Sequence, residues 1–233
     1  MINEDEKWFA QWFNTPYYHD LYRNRNDIEA MQWMDRITSL IALKKDQPIL
    51  DVCCGNGRHA LHLEKAGFMS YGIDISPSNI AMAQGNSQFP ERWRVGDARQ
   101  FNWGFSFQLV TNLFTSFGYF DNLADHQNMM IQMLRHVAEE GYFIFDFLNA
   151  SRVIRDLIQE ETHQGNLADY HIHRIVENGR IFKNIRFTID GIEKHYQESV
   201  FLFEPEPLMK WIVDEGFEVQ YHLGDYHANA YHQ

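Results

Sequence analysis

Acidic residues at the ends of apolar segments are the residues of this chain most able to bind a ligand. Asp51 is one of them, because it lies within the stretch ILDVCCGNG at positions 49–57, four positions before Gly55. Glycine has no Cβ, so the chain can turn sharply there and bring its backbone N–H groups close to a ligand. A helix that starts after such a turn also presents its N-terminus to the ligand. The stretch therefore predicts a strand, a glycine turn and a helix that together bind a nucleotide.

The carboxylate of Asp51 distinguishes two classes of nucleotide ligand. Dinucleotides and S-adenosylmethionine both use a Gly-x-Gly turn after a strand, and Ala60 fits the third small position of the dinucleotide fingerprint. A pyrophosphate beside Asp51 would be repelled, whereas the ammonium and sulfonium groups of S-adenosylmethionine would be attracted. Asp51 therefore favours the methyl donor. The alternative is that Asp51 only caps the turn or the helix after it.

Two further acids end the next predicted strands. The segment 68–74 ends in Asp74, 17 residues after Gly57 (74 minus 57), where an acid can accept hydrogen bonds from both ribose hydroxyls of either nucleotide class. The segment 92–98 contains Asp97, which can accept a hydrogen bond from an adenine amino group while Ala98 offers backbone contacts. Dinucleotide enzymes do not need this third acid. The alternative is that Asp97 is an ordinary turn aspartate.

Four segments carry a resemblance to a known family. The segments LDVCCGNG (50–57), GIDIS (72–76) and GDA (96–98) resemble the first three motifs of class I S-adenosylmethionine-dependent methyltransferases. The segment NLFTSFGYF (112–120) resembles the stretch after the fourth strand in a small-molecule branch that includes amino-sugar N-methyltransferases. Those sugar enzymes usually carry a histidine where this chain has Tyr119, which changes the hydrogen bonding and the proton chemistry. The resemblance extends from about residue 17 to residue 226.

The resemblance implies S-adenosylmethionine as the cofactor and S-adenosylhomocysteine as its product. It also implies methyl transfer by in-line displacement to an N or O atom of a small-molecule acceptor. In related methyltransferases an N-terminal segment closes over the cofactor, and the aromatic segment before the first strand supplies candidates for this role. The alternative is that these rings only attach the helices to the sheet. The predicted cofactor-binding residues are Asp51, Cys53, Gly55, Asn56, Gly57, Asp74, Ile75, Asp97, Ala98, Asn112, Leu113 and Phe114, with Tyr17, Tyr22 and Arg25 from the N-terminal segment.

In-line methyl transfer needs orientation more than it needs a protein nucleophile. An amine or hydroxyl acceptor also needs a base to remove its proton. Tyr119 and His173 are the predicted catalytic residues, for orienting the acceptor or accepting its proton. Asp146, Asn149 and Arg174 are further residues that we expect near the acceptor. No metal site is predicted.

The elements that must position these residues alternate between strand and helix. Predicted strands near 48–53, 69–73, 91–96, 107–113 and 141–147, with helical stretches between them, are typical of a doubly wound, mainly parallel α/β sheet. Period-two segments between 171 and 203, with turns at Asn178-Gly179 and Asp190-Gly191, predict an antiparallel insertion that forms the acceptor wall. The predicted segments are a helical cap (1–45), a Rossmann-like core (46–150), the insertion (151–204) and a return to the core (205–233).

The last predicted segment leaves the sheet incomplete. We expect a helix over about 207–215 and a sixth strand over 217–223, but no apolar run remains for the seventh strand of the family. An open slot beside a parallel strand exposes unpaired backbone groups. The sequence therefore predicts lowered stability, or a homodimer that covers the gap.

Composition limits the remaining possibilities. A chain of 233 residues with 45% apolar residues is long enough for one domain with a sizeable core. A net charge of −12 without a basic cluster disfavours nucleic acid as a partner. No apolar run approaches the roughly 20 residues of a membrane span, and the acidic start is unlike a signal peptide, so we expect a cytoplasmic protein. A nicotinamide-dependent oxidoreductase and a non-catalytic nucleoside-binding protein are the alternative functions.

Overall fold

The computed structural model describes residues 7–23 and 27–231 as two sheets with helices around them. The helices are α1 (Lys7–Trp12), α2 (Pro16–Leu21), α3 (Asp27–Ser39), α4 (Arg58–Lys65), α5 (Pro77–Asn86), α6 (Leu123–Arg135), α7 (Ala150–Arg155) and α8 (Pro205–Asp214). The strands are β1 (Pro48–Val52), β2 (Met69–Asp74), β3 (Trp93–Val95), β4 (Phe107–Asn112), β5 (Val137–Phe145), β6 (Glu160–Gln164), β7 (Asp169–Glu177), β8 (Arg180–Ile189) and β9 (Ile192–Phe201). Of the helices in these ranges, none is long and apolar enough to cross a membrane.

The first sheet is parallel and has the strand order β3-β2-β1-β4-β5. The chain runs outwards from β1 to β3 and then returns to the other side of β1 with β4. This reversal is a topological switch point, where open α/β sheets bind ligands at the carboxyl ends of the strands. The sheet confirms the predicted doubly wound α/β fold and places the predicted acids at one edge.

Both faces of the parallel sheet are covered because successive strand residues point to opposite sides. Ile49 and Leu109 pack against Trp33 of α3 on one face. Leu50 and Val110 belong to the larger cluster on the other face, together with residues of α1, α6 and α8. The central strands are therefore held from both sides, and their ends are rigid supports for a site.

The second sheet is antiparallel and has the order β6-β7-β8-β9. The β7–β8 and β8–β9 turns are Asn178-Gly179 and Asp190-Gly191, and all four residues have positive φ. Two successive positive φ values are typical of the tight type I′ hairpin turn, which matches the twist of the strands. The sheet confirms the predicted antiparallel insertion and adds β6, which the sequence analysis did not predict.

The short helices α1 and α2 pack against the antiparallel sheet. Trp12 and Leu21 share an apolar cluster with Tyr170 and Phe187. Asp20 is buried in α2 and accepts hydrogen bonds from the backbone N–H groups of residues 166 and 167 (2.8 Å each) and from the Tyr170 hydroxyl (2.9 Å). The cap and the antiparallel sheet are thus joined by both apolar and polar contacts.

The predicted sixth strand over 217–223 is wrong. Residues 217–222 have no regular structure, and Leu223 forms a single antiparallel bridge to Ala230. A strand in a sheet that is covered on both faces needs a nearly continuous apolar run. This segment alternates polar and apolar residues, and Val219 and Tyr221 are exposed. In the described residues β5 pairs only with β4, and a homodimer that covers this edge stays a prediction that sedimentation can test.

Candidate functional site

A cavity of about 350 Å³ opens at the carboxyl ends of the parallel strands. It brings together most of the predicted site residues, although they are far apart in the chain. Helices α1 and α2 close one side of the cavity, with Phe9, Phe13, Tyr18, His19 and Tyr22 in its wall. The predicted site residues that line it are Asp51, Cys53, Gly55, Asn56, Asp74, Ile75, Asp97, Ala98, Leu113, Phe114, Tyr119 and Tyr22.

The glycine turn after β1 winds through positive φ at Cys53 (61°), Gly55 (57°) and Gly57 (84°). A Cβ on Gly55 would meet nothing within 4 Å, so this glycine leaves open space beside the backbone. A Cβ on Gly57 would come within 2.7 Å of the Trp93 ring. Gly55 therefore suits the approach of a ligand, whereas Gly57 does not line the cavity and is required by packing under the turn.

Asp51 presents an unpaired carboxylate oxygen in this cavity. Its side chain is only 3% exposed, and Oδ1 accepts a hydrogen bond from the Thr111 hydroxyl at 2.8 Å. Oδ2 is buried and has no hydrogen-bond partner among the described residues. Burial raises the pKa of Asp51 to about 7, with repulsion from Asp74 adding to the shift and the Thr111 bond opposing it. A buried carboxylate with only one of its oxygens hydrogen-bonded is costly, and a cationic ligand would relieve that cost.

Asp74 and Asn79 form a second polar group. The Asp74 carboxylate accepts hydrogen bonds from the backbone N–H groups of Gly55 (2.9 Å) and Ser76 (2.8 Å), and burial raises its pKa. The Asn79 side chain also hydrogen-bonds to Asp74, while its Oδ1 is buried without a partner in the described part of the chain. Asn79 lines the cavity and was missed by the sequence analysis. An asparagine in the first turn of the helix after a strand-end acid was the available signal.

Asp97 lies at the far end of the row of acids. It accepts hydrogen bonds from the backbone N–H of Arg99 (2.9 Å) and from the Arg99 guanidinium (2.7 Å). The same guanidinium also contacts Asp125 at 2.9 Å. Asp97 thus makes the local bond of a turn aspartate and also lines the cavity, where Ala98 lies beside it.

Tyr119 lies among aromatic rings of α1 and of the residue that follows it, Phe13. Its ring lies 5.6 Å from that of Trp8, 6.2 Å from that of Phe9 and 5.4 Å from that of Phe13, measured between centroids. Its hydroxyl donates a hydrogen bond to the carbonyl oxygen of Thr115 at 2.8 Å. A hydroxyl that donates one hydrogen bond is also able to accept one.

His19 is a second functional candidate that the sequence analysis missed. It lines the cavity from α2, and its Nε2 is buried without a partner among residues 7–23 and 27–231. Burial lowers the pKa of His19, so the imidazole is neutral at neutral pH and able to accept a proton or a hydrogen bond. Histidines are common in this chain, which has 12, so sequence alone offered no reason to select this one.

The other predicted residues lie away from the cavity. Tyr17 packs on the antiparallel sheet against Phe187, with 4.8 Å between the ring centroids. This contact fits the alternative that such rings attach the helices to a sheet. Asn112 is fully buried and donates to the Val52 carbonyl at 2.9 Å, where it ties β4 to β1. His173 belongs to β7 and pairs in register with residues 160 and 184. Arg25 lies outside the described residues.

Tyr22 links the cavity to the antiparallel sheet. Its hydroxyl donates to the Glu198 carboxylate (2.7 Å) and accepts a hydrogen bond from the Lys183 ammonium (2.5 Å). Trp12 donates to the same carboxylate at 2.6 Å. This charged group fixes the end of α2 against β8 and β9.

Among the described residues, no group of three or more His, Cys, Asp or Glu side chains is placed to hold a metal ion.

Comparison with known proteins agrees with this geometry. A family described as a methyltransferase domain matches residues 23–221. The chain is 22% identical over 220 residues to the dTDP-4-amino-2,3,4,6-tetradeoxy-D-glucose N,N-dimethyltransferase of Saccharopolyspora spinosa, covering 89% of this chain and 88% of that one.

Two solved structures share the fold. An S-adenosylmethionine-dependent methyltransferase from Clostridium acetobutylicum has a TM-score of 0.77 at 18% identity, over 92% of this chain and 90% of that one. The amino pentose methyltransferase of calicheamicin biosynthesis from Micromonospora echinaspora has a TM-score of 0.67 at 22% identity, over 90% of this chain and 92% of that one. With a match over most of its length and a switch-point cavity lined by strand-end acids, the chain belongs to the methyltransferase domain family.

Proposed function

We propose that this protein transfers a methyl group from S-adenosylmethionine to an amino nitrogen of a small, sugar-like acceptor. The observation that carries the proposal is the buried Oδ2 of Asp51, a carboxylate oxygen without a partner among the described residues, in a cavity at the switch point. The methyl donor carries two positive charges that such a group would attract. A dinucleotide carries a negatively charged pyrophosphate, which the Asp51 carboxylate would repel. The site therefore favours the methyl donor over the nicotinamide alternative.

The residues present fit the parts of this cofactor. Asp51 would accept hydrogen bonds from its ammonium group, and Arg58, which also lines the cavity, carries the charge that suits its carboxylate. Asp74 and Oδ1 of Asn79, which has no partner in the described part of the chain, would accept hydrogen bonds from the two ribose hydroxyls. Asp97 would face the adenine amino group. When bound, S-adenosylmethionine supplies a methyl group already activated by its sulfonium charge.

The residues of the chain have three tasks in this proposal. Rings from α1 and α2 exclude water from the cavity, which strengthens the electrostatic contacts inside it. Tyr119 orients the acceptor, because it lines the cavity, its hydroxyl is held by the bond to the Thr115 carbonyl, and a phenol oxygen can accept a hydrogen bond from an N–H group. His19 accepts the proton that the acceptor amine releases, a role for which the sequence analysis had named Tyr119 or His173.

An amino sugar is the proposed acceptor class. The amino sugar named for the Saccharopolyspora relative supports this class, as does the description of the Micromonospora enzyme as an amino pentose methyltransferase. The wall formed by Tyr18, Tyr119 and Phe120 supports it as well, since aromatic rings pack on the apolar faces of a deoxysugar. Tyr18 belongs to the predicted cap, whereas Tyr119 and Phe120 belong to the predicted core. The predicted insertion (151–204) adds no described residue to the lining of the cavity. We further propose that it supports the wall from behind, through the bonds of Glu198 to Trp12 and Tyr22.

The test begins with binding. Calorimetric titrations with S-adenosylmethionine, S-adenosylhomocysteine and NADH at one salt concentration should detect micromolar binding of the two adenosyl sulfur compounds alone. Binding of NADH alone would establish the oxidoreductase alternative. Transfer of radiolabelled methyl from S-adenosylmethionine to the dTDP-amino sugar of the Saccharopolyspora relative is the second step. Cofactor binding with no transfer to amino sugars or simple amines would favour the non-catalytic alternative.

Asn79→Leu tests the ribose assignment, with Asp46→Ala, a change at an exposed position, as the control. Leucine has the same branching as asparagine, and it removes both the carbonyl oxygen and the amide group that bonds to Asp74. We expect the leucine variant to lose about tenfold in S-adenosylhomocysteine affinity and the control to match the wild type. Equal affinities of the two variants would remove Asn79 from the proposed site.

A further inference from the structure

The turn after β4 has a strained backbone. Phe114 (φ 56°) and Thr115 (φ 57°) are consecutive residues in the left-handed region, and neither is glycine. Such a pair persists only where the surroundings hold it, and strained residues of this kind cluster at functional sites. Phe114 lines the cavity. The question is which residues hold this turn in place.

Asp146, just after β5, holds the turn by three hydrogen bonds. Its Oδ2 accepts from the backbone N–H of Phe114 at 2.7 Å, and its carbonyl oxygen accepts from that of Thr115 at 3.3 Å. Its own N–H donates to the carbonyl oxygen of Asn112 at 2.9 Å. Both strained residues therefore have their backbone N–H groups bound by one residue of the neighbouring strand end.

Tyr226, in the segment beyond the family match, reaches the same turn. Its hydroxyl donates to Oδ2 of Asp146 at 2.9 Å, the oxygen that also accepts from Phe114. Its ring stacks on the Phe114 ring, with centroids 5.0 Å apart and planes 16° apart. Arg58 covers Phe114 as well, with its guanidinium 4.3 Å from the ring centroid. Phe114 is thus held by ring contacts and by its backbone.

The same turn reaches the acceptor side of the cavity, because the Thr115 carbonyl oxygen accepts the hydrogen bond from the Tyr119 hydroxyl. We propose that Tyr226 is a positioning residue that acts through Asp146 on the Phe114–Thr115 turn, and so sets both the cofactor wall and the orientation of Tyr119. This inference rests on the proposed function. Tyr226 contacts neither reacting group in this scheme, and its effect is transmitted by the turn.

The position of Tyr226 separates this role from a general contribution to folding. Its side chain is 37% exposed, and it packs on the rim of the molecule against Trp33 and Phe114. Leucine keeps part of the apolar contact that the partly exposed ring makes, so the unfolding temperature of Tyr226→Leu should change by only a few degrees. A positioning role predicts a larger effect on ligand affinity than on stability.

The experiment compares Tyr226→Leu, Tyr226→Phe and Asp146→Asn with Tyr221→Leu, a control in the same segment whose tyrosine is 54% exposed. S-adenosylhomocysteine affinity is measured by calorimetry and unfolding by circular dichroism. We expect Tyr226→Leu to weaken binding roughly tenfold and Tyr226→Phe, which keeps the stacked ring, roughly threefold. The Tyr226→Phe/Asp146→Asn double variant should bind S-adenosylhomocysteine as Asp146→Asn does, because both changes disrupt the same hydrogen bond, from the Tyr226 hydroxyl to the Asp146 carboxylate.

Hydrogen exchange of the ligand-free protein adds a readout that needs no cofactor. Backbone exchange in the peptide that spans 112–120 should be several-fold faster in Tyr226→Phe than in the wild type or in Tyr221→Leu. Unchanged exchange together with wild-type affinity would overturn the inference, as would additive effects in the double variant. Faster exchange in a protein that binds no adenosyl compound would support the role of Tyr226 and contradict the proposed function. If Tyr226→Leu does not fold, the affinity and the hydrogen exchange of Tyr226→Phe decide whether the inference holds.

Discussion

The two sides of the cavity are built in different ways. On the cofactor side, formed by the strand-end acids, two of the three acids are fixed by residues close to them in the chain: Asp74 by the N–H of Ser76 and Asp97 by that of Arg99, each two residues on. Asp51 is held by Thr111, 60 residues on, in the neighbouring strand β4. On the aromatic side, formed by α1 and α2, Trp12 and Tyr22 are held by Glu198, 186 and 176 residues away in the chain. The cofactor side is therefore built from local turns and neighbouring parallel strands, whereas the aromatic side exists only after the two sheets have packed.

The two sides also differ in charge balance. On the aromatic side, the Glu198 carboxylate has two hydrogen-bond donors and lies 3.8 Å from the Lys183 ammonium. On the cofactor side, Asp51 keeps an unpartnered oxygen within the described residues, and burial raises its pKa. Satisfied polar groups stabilise the fold, whereas an unsatisfied one destabilises it and stores affinity for a ligand. The difference indicates which side binds the charged ligand.

The largest expected effect is on the cofactor side, from Asp74→Ala. The change removes the carboxylate that would bind the ribose hydroxyls, and we expect S-adenosylhomocysteine affinity to fall about a hundredfold in a calorimetric titration. Asp74→Asn, which keeps one oxygen, should lose less. Exposed Asp46→Ala is the control. Affinity within the range of the control would mean that the strand-end acid does not hold the ribose.

Asp20→Ala should break the aromatic side in a way that differs from the first variant. It leaves two backbone N–H groups and the Tyr170 hydroxyl without their acceptor, so we expect a loss of about 2–3 kcal/mol in the free energy of unfolding, measured in urea. Asp156→Ala, which removes a carboxylate exposed to solvent, is the matched control. Equal stabilities of the two variants would show that the turn between β6 and β7 does not anchor α2.

The pH dependence of binding sharpens the electrostatic contrast. Burial raises the pKa of Asp51 to about 7 in the free protein, and a cationic ligand favours the charged carboxylate. Binding should therefore release a proton near neutral pH, and affinity should fall by up to about tenfold per pH unit below 7. Titrations of S-adenosylmethionine in two buffers of different ionisation enthalpy measure the proton release. Asp51→Asn should abolish it; if release persists in that variant, another group titrates.

The smallest expected effect on binding is that of Tyr119→Phe. The change removes a hydroxyl from the aromatic side and leaves the acids untouched, so S-adenosylhomocysteine affinity should stay at the wild-type value. Turnover of an accepted amino sugar should fall about tenfold, because the acceptor loses an orienting contact. Phe120→Tyr, which adds a hydroxyl one residue on, is a useful comparison. A parallel loss of affinity and turnover in Tyr119→Phe would contradict the assignment of this residue to the acceptor.

Residues on the cofactor side were predictable because their signals are short. A strand, two glycines and an acid lie within nine residues, and parallel strands that end at one edge must bring their terminal acids together. Asn79 escaped prediction, since one asparagine in a helix has many structural uses. The prediction of a sixth strand was wrong for a related reason. Alternation over 217–223 indicates that one face of the segment is apolar, but it does not indicate whether a partner strand is present.

The sequence alone determined the doubly wound sheet, the antiparallel insertion and the carboxylates at the strand ends, because periodicity, turn chemistry and glycine act over a few residues. Only the tertiary structure decided which histidine meets the cavity, His19 or His173, and which distant groups hold Tyr22 and Phe114. Those choices depend on the packing of elements that lie far apart in the chain. No local pattern encodes such a contact, since its energy exists only in the folded chain.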